Sequence, residues 1–196
     1  MNYEDLIQKL IDQLTELPSI GPKSAERLAF YILSQPESLA DDLSSTIHDA
    51  RSKVIRCEIC MNYTVNRICQ ICANPNRNDR QILLVASPPD LAAIERAATY
   101  KGKYHVLGGL LDPLSDITPA KLNIAQLESR IHNPQVQELI LALNTNVEGE
   151  ATAYYLTERL SRDNLVISRL GLGIPVGADI EYADEKTIAQ ALISRN

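Results

Sequence analysis

Apolar positions in the first quarter of the chain recur at helical spacing. Leu6, Ile7, Leu10, Ile11, Leu14 and Leu17 form one stripe over residues 3–17, with Asn2 placed to cap it. Pro18-Ser19-Ile20-Gly21-Pro22 then breaks the helix. A second helix is predicted over residues 22–35, with proline at the permitted first position and Ala25, Leu28, Ala29, Ile32 and Leu33 on its apolar side. Ser38-Leu39-Ala40-Asp41 has the form of a capping box and opens a third helix to about Arg56, with Leu43, Ile47, Ala50 and Val54 facing inward. The pattern predicts a small all-helical unit.

Beyond residue 80 the period changes. Ile82-Leu83-Leu84-Val85-Ala86 reads as a buried strand, followed by a Ser-Pro-Pro loop and a helix from Asp90. His105-Val106-Leu107, Leu139-Ile140-Leu141-Ala142-Leu143 and Leu165-Val166-Ile167 read as three more strands. A helix over about 149–160 precedes the last of them, and a polar helix over about 184–194 closes the chain. Strands that alternate with helices predict a mostly parallel sheet covered on both faces, so the expected fold class is mixed α/β behind a helical N-terminal unit.

Charge changes the picture locally. The net charge of -6 excludes a highly basic nucleic-acid coat protein. Within residues 51–80, however, Arg51, Lys53, Arg56, Arg67, Arg77 and Arg80 face only Glu58 and Asp79, a local excess of four positive charges. Such a stripe either holds phosphates or forms an ordinary solvated surface. With no Trp and one Phe, the chain lacks the aromatic platforms of extended single-strand binders, although eight Tyr leave some room for stacking. No run approaches the roughly 18 apolar residues of a membrane span. The acidic start Met1-Asn2-Tyr3-Glu4-Asp5 is unlike a signal peptide, so a cytoplasmic location without membrane contact is expected.

All four cysteines fall in Cys57-x2-Cys60-x8-Cys69-x2-Cys72. Each pair turns tightly enough to present two thiolates to one tetrahedral ion, and two pairs complete its shell. The segment is poor in apolar residues: Ile59, Met61, Tyr63, Val65, Ile68 and Ile71. Burying all six fully would contribute on the order of 9–18 kcal/mol. Ordering the backbone of the whole segment, residues 57–72, costs about 16–32 kcal/mol. A zinc ion, at roughly 10–16 kcal/mol apparent, closes that gap. Two disulfides or a redox pair are the competing readings; a cytosolic setting disfavours the first, and doubling of the motif disfavours the second. One structural Zn²⁺ per chain is expected, with no coordination position left for catalysis.

Two further stretches carry chemistry. Leu17-Pro18-Ser19-Ile20-Gly21-Pro22-Lys23-Ser24-Ala25-Glu26-Arg27-Leu28 resembles a helix-hairpin-helix element, which binds DNA without reading sequence. Its backbone N–H groups, and the N-terminus of the helix that follows, point at a phosphate. Ser19, Gly21, Lys23 and Arg27 are the candidate DNA-binding residues, Lys23 and Arg27 lying on one face at i, i+4. Ser19 stands where the pattern has Gly; a positive φ there would cost about 1 kcal/mol or more. A plain helical packing unit is the alternative. Leu141-Ala142-Leu143-Asn144-Thr145-Asn146-Val147-Glu148-Gly149-Glu150 resembles the strand-end motif of Toprim domains. That motif carries two Asp before Glu-Gly-Glu, and a further Glu ends the first strand; together they hold Mg²⁺. Here the three positions are Asn144, Asn146 and Ala86, and only Glu148 remains. His48, His105 and His132 are scattered and form no triad.

The order of these pieces, together with Tyr104-His105-Val106-Leu107-Gly108-Gly109 and Ile174-Pro175-Val176-Gly177-Ala178-Asp179-Ile180-Glu181-Tyr182-Ala183-Asp184, resembles the RecR family of bacterial recombination mediators over nearly the whole chain. The resemblance implies a helix-hairpin-helix region over 1–56, a four-cysteine zinc finger over 57–72, a Toprim-like domain over 80–175 and a C-terminal segment over 176–196 that makes subunit contacts. It implies a non-enzymatic DNA-repair protein that works with RecO and RecF to place RecA on gapped DNA covered by single-strand binding protein. It also implies homo-oligomers, ring-like dimers or tetramers, with the hairpins turned inward on DNA. Besides Ser19 and Ala86, the chain departs from the family at Leu172, where a polar or basic residue is common, and at Ala178, where a second Gly is common. A Toprim-type nuclease or topoisomerase-like enzyme, and a scaffold that never touches DNA, are the competing functions.

Overall fold

A computed structural model of the chain describes residues 3–194. The expected cap Asn2 lies outside them. The chain divides between Val54 and Ile55 into two compact units.

The first unit is three helices: α1 (Tyr3–Thr15), α2 (Pro22–Ser34) and α3 (Glu37–Lys53). Ala25 and Ala29 are fully buried, and these small side chains let α2 lie close against α1. The expected capping box at Ser38 does not form. α3 begins one residue earlier, after Pro36, whose restricted φ of -56° sets the turn without a side-chain cap. Nor is the predicted inner face of α3 covered within the unit. Leu43 and Ala50 are exposed, Ile47 is 61% exposed, Val54 is half-buried, and no residue of the helix is fully buried. Leu28 and Leu33 of α2 are exposed in the same way.

The second unit opens with the cysteine segment. A two-residue antiparallel pair, β1 (Ile55–Arg56) and β2 (Tyr63–Thr64), is followed by one helical turn, α4 (Gln70–Ala73). Next come β3 (Asn78–Val85), α5 (Pro88–Ala97), β4 (Gly102–Val106), α6 (Ile124–Ile131), β5 (Glu138–Ala142), α7 (Val147–Leu160), β6 (Val166–Arg169) and α8 (Glu185–Ile193). The four long strands form one parallel sheet in the order β4-β3-β5-β6. The Ser-Pro-Pro stretch is a helix start rather than a loop. Pro88 and Pro89 occupy the first turn of α5, where no N–H is required, and the amide and hydroxyl of Ser87 both donate to Asp90. The periodicity reading missed α6, whose Ile124, Leu127 and Ile131 are all buried.

Both faces of the sheet are covered. Ile82, Leu84, Leu139 and Leu141 pack under α6 and α7 through Leu127, Ala153, Leu156 and Leu160. On the other face, Leu83, Val85, Tyr104 and Val106 meet Leu91 of α5 together with Met61 and Ile71 of the cysteine segment. The outward edge of β4 is also occupied. The Gly102 carbonyl accepts from Arg77, the Tyr104 carbonyl from Arg130, and the Val106 carbonyl from Asn123; the Val106 N–H donates to the Cys60 carbonyl. These bonds occupy four of the groups that would otherwise template pairing with another strand. Arg77 also grips Glu95 with both guanidinium nitrogens, at 2.8 and 2.5 Å, and the Tyr104 hydroxyl donates to the same carboxylate.

His105 is fully buried on β4, its Nε2 bonded to the Asn123 carbonyl at 2.9 Å and its Nδ1 facing Arg130 Nη1 at 3.2 Å. That network places the proton on Nε2. Burial, aided by the Arg130 charge, lowers its pKa to about 4. The unfolded chain therefore binds more protons than the folded one between about pH 6.5 and 4. The contribution of His105 is whole above that window and is lost as pH falls through it, on the order of 3 kcal/mol. His105→Gln should lose less stability than wild type between pH 7 and pH 4.5 in urea titrations; equal losses would show that His105 is not the group responsible.

Candidate metal centre and nucleic-acid hairpin

Backbone turns bring the four cysteines together. The Met61 N–H donates to the Cys57 carbonyl, and Met61 takes a φ of 62° to close the first turn. The Ala73 N–H donates to the Cys69 carbonyl in the second. The four sulfurs lie within 4.8 Å of one another, and Cys60 Sγ is 3.6 Å from Cys69 Sγ. Tetrahedral thiolates at about 2.3 Å from a zinc ion would stand about 3.8 Å apart. No pair is joined as a disulfide. Among the described residues this is the one group of three or more His, Cys, Asp or Glu side chains placed to share an ion. Cys57, Cys60 and Cys69 are buried and Cys72 is half-buried. The Cys69 N–H donates to Cys57 Sγ at 3.3 Å.

The thiols respond strongly to one another. The contact between Cys60 and Cys69 holds the Cys69 thiol far below its usual range and pushes Cys60 up to about 12. Cys72 is raised as well, through its contact with Cys60. Neighbouring sulfurs and burial thus resist ionisation of Cys60 and Cys72. A bound dication removes that resistance, because each thiolate then faces a positive charge. Donor type, spacing and burial fit a four-thiolate metal site. None of the segment's six apolar side chains is fully buried, so apolar burial contributes less here than the full-burial figure.

The hairpin lies in the first unit. The Ile20 N–H donates to the Leu17 carbonyl at 3.1 Å, and Ser19 takes a φ of 67°. Proline at the second position and a positive φ at the third define a type II turn. The strain expected at Ser19 is therefore present. Gly21 is the N-cap of α2, with an extended φ of -81° and no side-chain cap. A Cβ built on Gly21 would meet nothing within 4 Å, so the residue faces open space. Lys23 and Arg27 project from the first two turns of α2 and are exposed. The turn places Ser19, Gly21 and Lys23 at one helix N-terminus, with Arg27 one turn further along.

At the C-terminal end of the sheet, Ala86 follows β3 and is buried, while Asn144 and Asn146 follow β5. Asn146 caps α7, its side-chain oxygen accepting from the Gly149 N–H at 3.0 Å. An amide does this as well as a carboxylate does. A Cβ on Gly149 would collide with the Asn144 carbonyl oxygen, so only glycine fits. Glu150 is gripped by Arg169, which lowers its pKa.

Four cations of the basic stretch have partners of their own. Lys53 pairs with Asp49, Arg67 with Glu58 and Arg77 with Glu95, and Arg56 lies over the Tyr63 ring at 4.1 Å. Sequence reasoning also missed two cations close to the cysteines, Lys103 and Arg130. Both belong to stretches that read only as strand or loop, and no local pattern marks a lysine that will be buried.

The fold is that of a Toprim domain, in a form that presents amides and an alanine where carboxylates hold a metal ion in other members. Residues 80–171 match the Toprim domain, residues 7–51 the RecR helix-hairpin-helix and residues 173–196 the RecR C-terminal region. Recombination protein RecR of Bifidobacterium adolescentis is 46% identical over 98% of this chain and 96% of its own length. That of Desulforudis audaxviator is 45% identical over 100% and 98%, and that of Thermosynechococcus vestitus 44% over 98% and 95%. The chain belongs to the RecR family of recombination proteins.

Ser19→Gly relieves the positive φ and should stabilise the helical unit by about 1 kcal/mol. Thermal unfolding followed by circular dichroism would register this as a higher midpoint; an unchanged or lower one would mean that Ser19 makes a compensating bond.

Proposed function

We propose that this protein is a non-enzymatic, sequence-independent DNA-binding mediator of recombinational repair. It acts with RecO and RecF, as the family resemblance implies, to help load RecA on gapped DNA covered by single-strand binding protein in the cytoplasm. The observation that carries the DNA-binding part is the uncapped N-terminus of α2. Its open Gly21 and the flanking Lys23 and Arg27 offer backbone N–H groups and two cations to one phosphate run. The four cysteines hold one structural zinc, which organises residues 57–72 as a finger before the Toprim-like stretch over 80–175.

Self-association supports the reading from the energetic side. One acidic subunit with a single two-cation site binds phosphate weakly, and several sites on a ring act together. The uncovered apolar side chains of α2 and α3, Leu28, Leu33, Leu43 and Ile47, are the kind of surface that a further copy would cover. The last segment, over 176–196, is assigned to subunit contacts. No helix among the described residues is long and apolar enough to cross a membrane.

The enzyme reading has the Toprim fold in its favour. Against it, Ala86, Asn144 and Asn146 leave Glu148 as the remaining acid of the set, too few hard oxygen ligands for Mg²⁺. Incubation with supercoiled plasmid and Mg²⁺ should leave the plasmid intact; nicking or relaxation would revive that reading.

Lys23→Glu with Arg27→Glu should weaken duplex binding at least tenfold near 100 mM salt. The slope of log affinity against log salt should fall by about 1.8, roughly 0.9 for each phosphate no longer neutralised. Equal binding by the folded variant would sink the hairpin assignment. Elemental analysis of reduced, purified protein should find one zinc per chain.

A further inference from the structure

Lys103 is a lysine where the fold has least use for one: on β4, 8% exposed, in a strand whose every residue is buried. Its Nζ lies 2.9 Å from the Cys72 carbonyl oxygen, 2.9 Å from that of Asn74 and 3.3 Å from that of Ile71. Asp79 is 3.5 Å away but largely exposed. The three carbonyls belong to the C-terminal end of the α4 turn, where a helix leaves its acceptors unsatisfied and where positive charge is favoured. The lysine therefore closes the second cysteine pair from outside, using donors carried by the sheet. On the first pair, the Val106 N–H takes the Cys60 carbonyl at 2.8 Å. One strand thus holds both turns that carry the sulfurs.

Charge supplies the second reason. Four thiolates around one Zn²⁺ leave two negative charges in a largely buried place, and such a cluster needs nearby cations. Lys103 is one. Arg130, half-buried and bonded to the Tyr104 carbonyl and His105, is the other; it lies close enough to Cys57, Cys60 and Cys72 to feel their charge. Lys103, Arg130, Ile59 and Cys72 are among the residues that line one cavity of about 350 Å³. Cys72 is the one half-buried residue of the four. Its carbonyl is one that Lys103 holds.

We propose that Lys103 is a positioning residue of the metal centre: it fixes the Cys72 turn against β4 and offsets the charge of the zinc-thiolate cluster, so that metal retention depends on the sheet. This rests on the reading of the four cysteines as a zinc site. Lys103→Met keeps the apolar stem and removes the ammonium. Outer partners of metal ligands typically contribute 10- to 100-fold in affinity.

The test measures zinc release to an excess of chromogenic chelator under reducing conditions, with circular dichroism showing that the fold stays intact throughout. Lys103→Met should release zinc at least tenfold faster than wild type. Lys101→Met, which removes an exposed lysine two residues away, should release it at the wild-type rate. Zinc present in wild type but released equally fast by Lys103→Met would overturn the role of Lys103 and leave the zinc assignment standing. Wild type with no zinc would overturn the zinc assignment itself. Should Lys103→Met fail to fold, wild type alone decides through amine acetylation read by mass spectrometry. Lys103 should resist acetylation in loaded protein and react at least fivefold faster once zinc is stripped, with Lys101 unchanged. Equal reactivity of Lys103 in both states would overturn the proposal.

Discussion

A parallel sheet cannot leave a long edge open to solvent without inviting another strand onto it, and the fold of the second unit is organised around that constraint at β4. Its outward carbonyls are met one by one, Gly102 by Arg77, Tyr104 by Arg130 and Val106 by Asn123, and the Val106 N–H meets the Cys60 carbonyl. Two of these partners come from the stretch between the helical unit and the sheet. The cysteine segment is therefore more than a spacer. It contributes Met61 and Ile71 to the core beneath the sheet and one hydrogen bond to the edge. Whatever holds the four sulfurs together also holds that cover in place.

The C-terminal end of the sheet shows which features of the turn before α7 do not depend on charge. The Toprim frame needs an N-cap on α7 and a glycine that lets the Asn144 carbonyl approach, and both are kept. It does not need negative charge there. Asn146 accepts the Gly149 N–H as a carboxylate would, so replacing Asp by Asn removes a ligand without disturbing the turn. Glu150 is drawn instead into an ion pair with Arg169 on the neighbouring strand β6.

Much of this was legible in the chain. Long apolar runs such as Ile82–Val85 and Leu139–Leu141 announced the central strands because both faces of the sheet are buried. The Pro-x-x-Gly-Pro break located the hairpin, and cysteine spacing located the four sulfurs. What stayed hidden depended on distant partners. The helix α6 buries three residues at helical spacing but lies in a stretch broken by Pro113, Pro119 and Pro134. Lys103 and Arg130 carry no local signal, since only the folded chain brings their acceptors to them. The basic stretch shows the same dependence: Lys53 and Arg77 find carboxylates, Asp49 and Glu95, that lie outside the counted stretch. The inward face expected on α3 failed because a helical period specifies a stripe without specifying what covers it.

The position of the cysteines along the chain has a consequence for biosynthesis. Residues 57–72 precede β4 at 102–106, so on a ribosome the cover is made before the strand it protects. Arg77 and Cys60 are therefore in the chain before β4, while Asn123 and Arg130 follow it. Were the order reversed, with the thiols downstream of the sheet, every growing chain would carry an open strand until synthesis caught up. Placing the cover first shields newly made copies from sticking to one another.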